Sequence, residues 1–177
     1  MTIIRRPFVF MRHGETPLNA AGLMGGITDS PLSERGIEQA KAAQARLDRT
    51  WSVVAISGLQ RTRITALHAV PQYEPIVLLG LNERNWGDLE QQPIAQQTPY
   101  EVTPPNGEPW ADFQARVIDA INQLLTLYDT PLIIAHSGVN RVLNNVILGS
   151  PYGPRINNAE PTLFTPSQDN DWLITPY

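Results

Sequence analysis

Four apolar runs in this 177-residue chain, Phe8–Met11, Val53–Ile56, Ile76–Leu79 and Leu132–Ala135, are too short for helices and too continuous for strands with one wet face. Unbroken hydrophobicity at that length predicts strands covered on both sides, the pattern of a mostly parallel sheet. Between the runs the apolar spacing becomes helical. Ile37, Ala40, Ala43 and Leu47 form one stripe. Trp110, Phe113, Val117, Ala120, Ile121, Leu124 and Tyr128 form a longer one, with Pro109 suited to its first turn. Val139, Val142, Leu143, Val146 and Ile147 form a third, which stops at Gly149. A shorter helix is expected from Arg61 to Ala69, ahead of Pro71. Two late runs, Thr162–Thr165 and Trp172–Thr175, flank polar PSQDND and predict an edge hairpin. Strands alternating with helices predict a layered α/β domain, and the length suits one domain spanning residues 1–177.

Composition narrows the function. A net charge of −4 argues against a nucleic-acid or membrane-surface binder, which needs a basic face. No apolar stretch reaches the ~18 residues of a membrane helix. The N-terminal MTIIRRPFVFM lacks the apolar run and cleavage site of a signal peptide, so a cytoplasmic location is expected. Without cysteine there is no disulfide, thiolate nucleophile or thiolate metal site. Of the 13 basic residues only Lys41 is a lysine, and arginine's planar fork matches phosphate and carboxylate. The segment from Gly87 to Pro109 is polar, rich in Pro and Gln, and long for a loop; it is read as a lid or substrate-facing excursion.

The chemistry sits just past the end of each run. Arg12 and His13 come after the first, SGLQR leads from the second to Arg61, GLNER leads from the third to Glu83, and His136, Ser137 and Gly138 come after the fourth. Ligands of open α/β sheets bind outside the carboxyl ends of the strands. If the runs are neighbouring parallel strands, two histidines, two arginines and a glutamate meet at one mouth. Two guanidinium forks can hold a phosphoryl group. A neutral imidazole can attack phosphorus, and adjacent guanidinium charge keeps it neutral. A second histidine can donate to the oxygens that carry the transferring charge. A carboxylic acid can protonate the departing alkoxide and then deprotonate water. Backbone amides of Ser137 and Gly138 at a helix start can add to the anion site. Each group alone has a plainer reading: a structural histidine after a strand, a solvated Glu83–Arg84 pair, Arg61 and Arg63 on an exposed helix face. His13, His68 and His136 lack paired ligand spacing, and no acidic cluster of metal-binding type occurs, so no metal site is assigned.

These residues are recognisable. MRHGET with Asn19 resembles the N-terminal motif of the histidine phosphatase superfamily, the phosphoglycerate mutase-like clan. DSPLSERGIEQA, SGLQRTRITA, LNERNWGDLE, NGEPWADFQARV, IAHSGVNRVL and NNAEPTLF are similar, in order, to the later blocks of that family. The resemblance implies a three-layer α/β/α sandwich with a mostly parallel central sheet and no cofactor. It implies His13 as the phosphorylated nucleophile, Arg12 and Arg61 as phosphate holders, His136 as the second phosphate-pocket histidine, Glu83 as proton donor and acceptor, and Asn19 as a further polar contact. Gly58 stands where the second motif usually has proline, which predicts a looser turn beneath Arg61. Trp86 replaces a usual tyrosine.

Within the family, mutases are longer and carry basic residues in an insertion after the proton-donor block. Leu89 to Asn106 contains neither arginine nor lysine. Ser-Gly-Val after His136 matches many phosphatases rather than the Gly-Asn of mutases. The resemblance therefore points to the phosphatase branch: a metal-independent phosphatase of a small phosphomonoester, monomer or homodimer. Mutase-type phosphoryl transfer is the alternative, and a non-catalytic phosphate-binding module is a third reading. Trp86, Gln92, Gln96 and Tyr100 are candidate substrate contacts, and Arg141 is read as an exposed helix position.

Overall fold

The computed structural model describes all 177 residues. Its centre is a six-stranded sheet. In chain order the strands are β1 (Phe8–Arg12), β2 (Val54–Ile56), β3 (Ile76–Val77), β4 (Leu132–Ala135), β5 (Thr162–Pro166) and β6 (Trp172–Pro176). Their spatial order is β3-β2-β4-β1-β5-β6. The first four named strands are mutually parallel, while β5 runs antiparallel to β1 and β6 antiparallel to β5. The late hairpin thus docks on β1 and forms one edge of the sheet.

Five α-helices accompany the strands: α1 (Pro17–Ala20), α2 (Glu34–Ala43), α3 (Gln60–Ala69), α4 (Trp110–Leu127) and α5 (Ser137–Leu148). Local chemistry fixes their ends. Thr16 caps α1 through a reciprocal capping box with Asn19, and Pro17 opens its first turn. Ser33 Oγ accepts from the Gly36 amide at the start of α2. Gly149 closes α5 in the left-handed region, φ 83°. Pro109 stands one place before α4, at its cap, rather than in its first turn.

Alternation within the strands divides the core. Phe8, Phe10, Ala55, Ile133 and Ala135 face α4 and α5, packing with Phe113, Val117, Ile121, Val139 and Leu143. Val9, Met11, Val54, Ile56, Leu132 and Ile134 face the other way, toward Ala40 and Ala43 of α2 and Ala66 and Ala69 of α3. Two apolar layers on the two faces of one sheet make the three-layer α/β/α sandwich. β1, β2 and β4 are buried on both faces, as their unbroken hydrophobicity requires. The third run departs from expectation. It pairs only over Ile76–Val77, at the open edge, and Leu79–Leu81 turns into a 3₁₀ segment. Val77 and Leu79 are exposed, so one-sided cover suffices there. The first helical stripe also ends early, with Leu47 buried beyond α2 rather than within it. No helix is long and apolar enough to cross a membrane.

Phe8 joins the hairpin to the core: its ring stacks on Phe164 at 4.7 Å and meets the edge of Trp172 at 5.9 Å. Phe8→Ala should lower the unfolding free energy by about 3–5 kcal/mol in urea titrations. A loss below about 1 kcal/mol would mean that the hairpin does not depend on this contact.

Candidate active site

β1 and β4 align Arg12 with Ala135, and the His13 amide donates to the Ala135 carbonyl at 3.0 Å. The two histidines that leave these strands therefore emerge at one level. Their ring centroids lie 5.3 Å apart, and both side chains are buried.

His13 is held in one tautomer. Its Nδ1 lies 2.7 Å from the Gly14 carbonyl oxygen. A carbonyl only accepts, so Nδ1 carries the proton and Nε2 keeps its lone pair. The Gly14 amide in turn donates to Thr65 Oγ1 of α3, which pins the peptide. Burial pushes His13 well below the ordinary imidazole range; Arg61 and Arg12 push it further, and the Gly14 carbonyl opposes them. His136 is lowered by burial first, then by Arg61, His13, Arg12 and Arg116. Its Nε2 lies 2.8 Å from Ser57 Oγ, and its Nδ1 is buried without a partner.

The arginines are solvated by carbonyls. Arg61 is 2% exposed, so it is not on an open helix face, whereas Arg63 is exposed. Its Nη1 donates to Thr28 O and its Nη2 to Gly25 O and Gly26 O. Arg12 Nη1 donates to Ile156 O, while its Nε is buried without a partner. Burial pushes Arg12 down to about 10, partly offset by Glu83 and reinforced by Arg155, Arg61 and Arg141. It remains a cation at neutral pH. Gly58 does not loosen the turn beneath Arg61, because its amide donates to Asn82 Oδ1 at 2.7 Å, a bond proline cannot make.

Glu83 is 9% exposed and oriented by two amides: Oε1 accepts from Arg84 N at 2.9 Å and Oε2 from Gly138 N at 2.9 Å. The Gly138 amide, expected to face an anion, is thus engaged by this carboxylate. A Cβ at Gly138 would collide with Glu83 Oε1, so glycine is what lets the acid approach α5. Arg84 is not a solvated partner of Glu83. It is fully buried, donates from Nε to Glu108 O and sits 4.9 Å from the Trp86 ring. Arg116, from α4, braces the same segment by donating to the carbonyls of Gly80, Asn82 and Glu83 while pairing with both oxygens of Glu108 at 2.8 Å.

A cleft of about 70 Å³ opens over this cluster, and Arg12, His13, Asn19, Glu83, Ser137 and Gly138 all line it. Arg61 and His136, 2% and 0% exposed, are not among the residues that line the cleft, and act on it through the charge of Arg61 and the contact of His136 with His13. Asn19 Oδ1 is taken by the Thr16 amide and by Asn158 Nδ2, which also donates to His13 O. The remaining wall includes Leu23, Met24, Trp86, Ile94, Gln97, Tyr100 and Arg155. The excursion from Gly87 to Pro109 therefore faces the cleft. It is fastened there by Met24 N to Gln92 O, Gln91 N to Met24 O and Ile94 N to Gly22 O. Trp86 and Tyr100 line the cleft as expected; Gln92 and Gln96 do not, and Gln97 does. Arg141 is 7% exposed and holds the carbonyls of Pro151 and Gly153, contrary to the exposed position read from the sequence. A larger hollow of about 570 Å³ beside Arg35, Arg46 and Glu160 contains neither histidine, so size does not identify the site. No group of three or more His, Cys, Asp or Glu side chains is arranged to hold a metal.

Ser57, Arg155, Glu108 and Arg116 were absent from the candidates read in sequence. Ser57 carried a signal, since it opens the SGLQR turn; Glu108 and Arg116 acquire meaning only through contacts across 8 to 36 positions and Arg155 only through its place in the cleft wall, and one-dimensional spacing shows none of them.

Residues 8–172 match the family model described as "Histidine phosphatase superfamily (branch 1)". The chain is 32% identical over 169 residues to a 2,3-bisphosphoglycerate-dependent phosphoglycerate mutase from Bartonella tribocorum, covering 81% of this chain and 82% of that one. Among solved structures, it is similar to the α-ribazole phosphatase of Shigella flexneri, with TM-score 0.80 and 27% identity over 97% of this chain and 94% of that one. It is also similar to a mycobacterial glucosyl-3-phosphoglycerate phosphatase solved with VO3, with TM-score 0.83 and 26% identity over 97% of this chain and 98% of that one.

The lowered histidines make stability depend on pH with a definite sign. Below about 6.5 the unfolded chain protonates both imidazoles while the folded chain resists, so the unfolded state binds more protons and stability falls as pH falls. Each histidine contributes a slope of up to about 1.4 kcal/mol per pH unit there. Urea unfolding at pH 7.5 and 5.5 should show this loss, and His13→Gln/His136→Gln should reduce it. Equal stability at both pH values would contradict neutral buried histidines.

Proposed function

The chain belongs to the histidine phosphatase superfamily, and on that premise we propose that it is a phosphatase that hydrolyses a small phosphomonoester through phospho-His13, without a metal. The observation that carries this reading is the His13 ring itself. Nδ1–H is tied to the Gly14 carbonyl, leaving Nε2 unprotonated in the field of the buried Arg61 and the half-buried Arg12 guanidinium groups. Residues 1–177 act as one catalytic domain in this reading.

Nε2 of His13 attacks phosphorus as the ester P–O bond breaks. Arg12, Arg61 and His136 take up the charge on the equatorial oxygens, with Asn19 and the Ser137 backbone as further polar contacts. Glu83, protonated for this step, gives its proton to the departing alcohol oxygen. Its carboxylate then removes a proton from water, whose oxygen attacks phosphorus while the N–P bond breaks. Inorganic phosphate leaves, and His13 and protonated Glu83 are restored.

Hydrolysis is favoured over transfer because Ile94, Gln97 and Tyr100, the wall supplied by the 87–109 excursion, include no arginine or lysine to retain a phosphorylated alcohol, which leaves Arg155 as the one cation of the wall besides Arg12. Kinship with a mutase keeps phosphoryl transfer as the second reading. An assay with phosphoglycerate and a bisphosphoglycerate primer separates the two: steady phosphate release supports the phosphatase, and interconversion with little release reverses the assignment.

An aryl phosphate should be hydrolysed with chelator present, and His13→Ala should lose all but about 0.1% of that rate. Glu83→Gln should cost about 100-fold or more with an alkyl phosphate and much less with an aryl phosphate, whose phenolate leaves without a proton. Gly138→Ala, which displaces the Glu83 carboxylate, should reproduce the alkyl-selective defect. Equal losses on both substrates would remove Glu83 from its role as acid.

A further inference from the structure

Ser57 comes directly after β2 and is fully buried. The β2–β4 register pairs Ile56 with Ile134, so Ser57 emerges beside the end of β4 and meets His136. Its hydroxyl has several neighbours to satisfy or be satisfied by. The Leu59 amide donates to Ser57 Oγ at 3.2 Å. Thr62 Oγ1 lies 3.1 Å away but has its own acceptor, the Leu59 carbonyl at 2.9 Å, with the Ser57 carbonyl more distant at 3.3 Å. His136 Nε2 is the shortest contact to Ser57 Oγ, at 2.8 Å.

A hydroxyl has one proton to give. With Oγ accepting from Leu59 and Thr62 spending its own proton on a carbonyl, the Ser57 proton has two acceptors in reach, Thr62 Oγ1 at 3.1 Å and His136 Nε2 at 2.8 Å, and the shorter contact is His136. A neutral imidazole that accepts at Nε2 carries its hydrogen on Nδ1. That is the ring atom left buried and without any partner in the protein. A buried donor with no acceptor destabilises the protein unless something accepts from it. The opposite tautomer would leave a bare lone pair at Nδ1, which repels an anion.

We propose that Ser57 is a positioning residue that donates to His136 Nε2 and so fixes His136 as the Nδ1–H tautomer, with Nδ1–H reserved for an oxygen of the transferring phosphoryl group. The proposal deepens the phosphatase reading and rests on it for the identity of the acceptor. It also distinguishes the two histidines. Both carry hydrogen on Nδ1, but His13 spends it on a backbone carbonyl and exposes a nucleophilic Nε2, whereas His136 ties up Nε2 and offers Nδ1–H. Two rings 5.3 Å apart are thereby given opposite roles by their hydrogen-bond partners.

The test is nitrogen NMR of histidine-labelled protein, read on the free protein and again with orthovanadate. His136 should show a protonated Nδ1 and an unprotonated Nε2, with vanadate perturbing Nδ1 and leaving the tautomer intact. A protonated Nε2 in the wild-type protein overturns the proposal. Ser57→Ala should mix the tautomers and lower kcat on an aryl phosphate about 10- to 100-fold with little change in KM, and Ser57→Thr should restore both. If Ser57 merely capped the Leu59 amide, Ser57→Ala would change stability while the tautomer and kcat stayed as in wild type, and the proposal would fall. Because the tautomer is read without turnover, a wild-type protein inert toward phosphate esters would count against the phosphatase reading while the Ser57 assignment stood or fell on the spectrum.

Discussion

Parallel pairing of β1 with β4 places the His13 amide on the Ala135 carbonyl, and the rest of the site is arranged around that bond. A slip of one residue in either strand would send His13 and His136 to opposite faces, because side chains alternate along a strand. The register is protected by what lies behind it. Phe8 and Phe10 must face α4 and α5 while Val9 and Met11 face α2 and α3, and every one of these side chains is fully buried. Core packing on two faces therefore fixes the relative height of two imidazoles at the rim.

Around those imidazoles the protein buries positive charge without neutralising it. Arg61 faces three carbonyl oxygens, Arg141 two, and Arg12 one. None of the three is in a salt bridge; the ion pairs are Lys41–Glu38 on the surface and Arg116–Glu108. Carbonyl dipoles solvate a guanidinium but leave its net charge in place, so the field remains available to a dianion in the cleft. Desolvation of the guanidinium groups costs stability, and burial of the imidazoles, with this field added to it, keeps both histidines neutral. Glu90 completes the arrangement from below. Its carboxylate accepts from the amides of Gly26, Thr28 and Trp86, fixing the loop whose carbonyls hold Arg61.

The carboxylate of Glu83 shows how a distant helix can set local chemistry. Arg116 holds the three carbonyls of the segment that carries Glu83, Glu108 holds Arg116, and the Gly138 and Arg84 amides aim the acid. Glycine at position 138 is required by this approach rather than by backbone conformation, since a side chain there would occupy the place of the carboxylate oxygen.

What the chain carried in one dimension was periodicity and local order: which runs are strands, which stripes are helical, where Gly149 sets an end, and that polar groups stand at the end of each strand. Those are short-range properties, set by side-chain spacing and turn chemistry, and the MRHGET and IAHSGVNRVL blocks made the family legible as well. Contacts between segments far apart in the chain were decided by the tertiary structure alone. The third run became a two-residue edge because its neighbours cover one side of it. Arg84 and Arg141, which read as solvated, are buried because carbonyls from distant loops receive them. Ser57 gained its place beside His136 only through the β2–β4 register. Spacing along the chain encodes the faces of elements, whereas the partner of a buried polar atom depends on which elements pack together, and that is settled only when the sheet and its two helical layers close over one another.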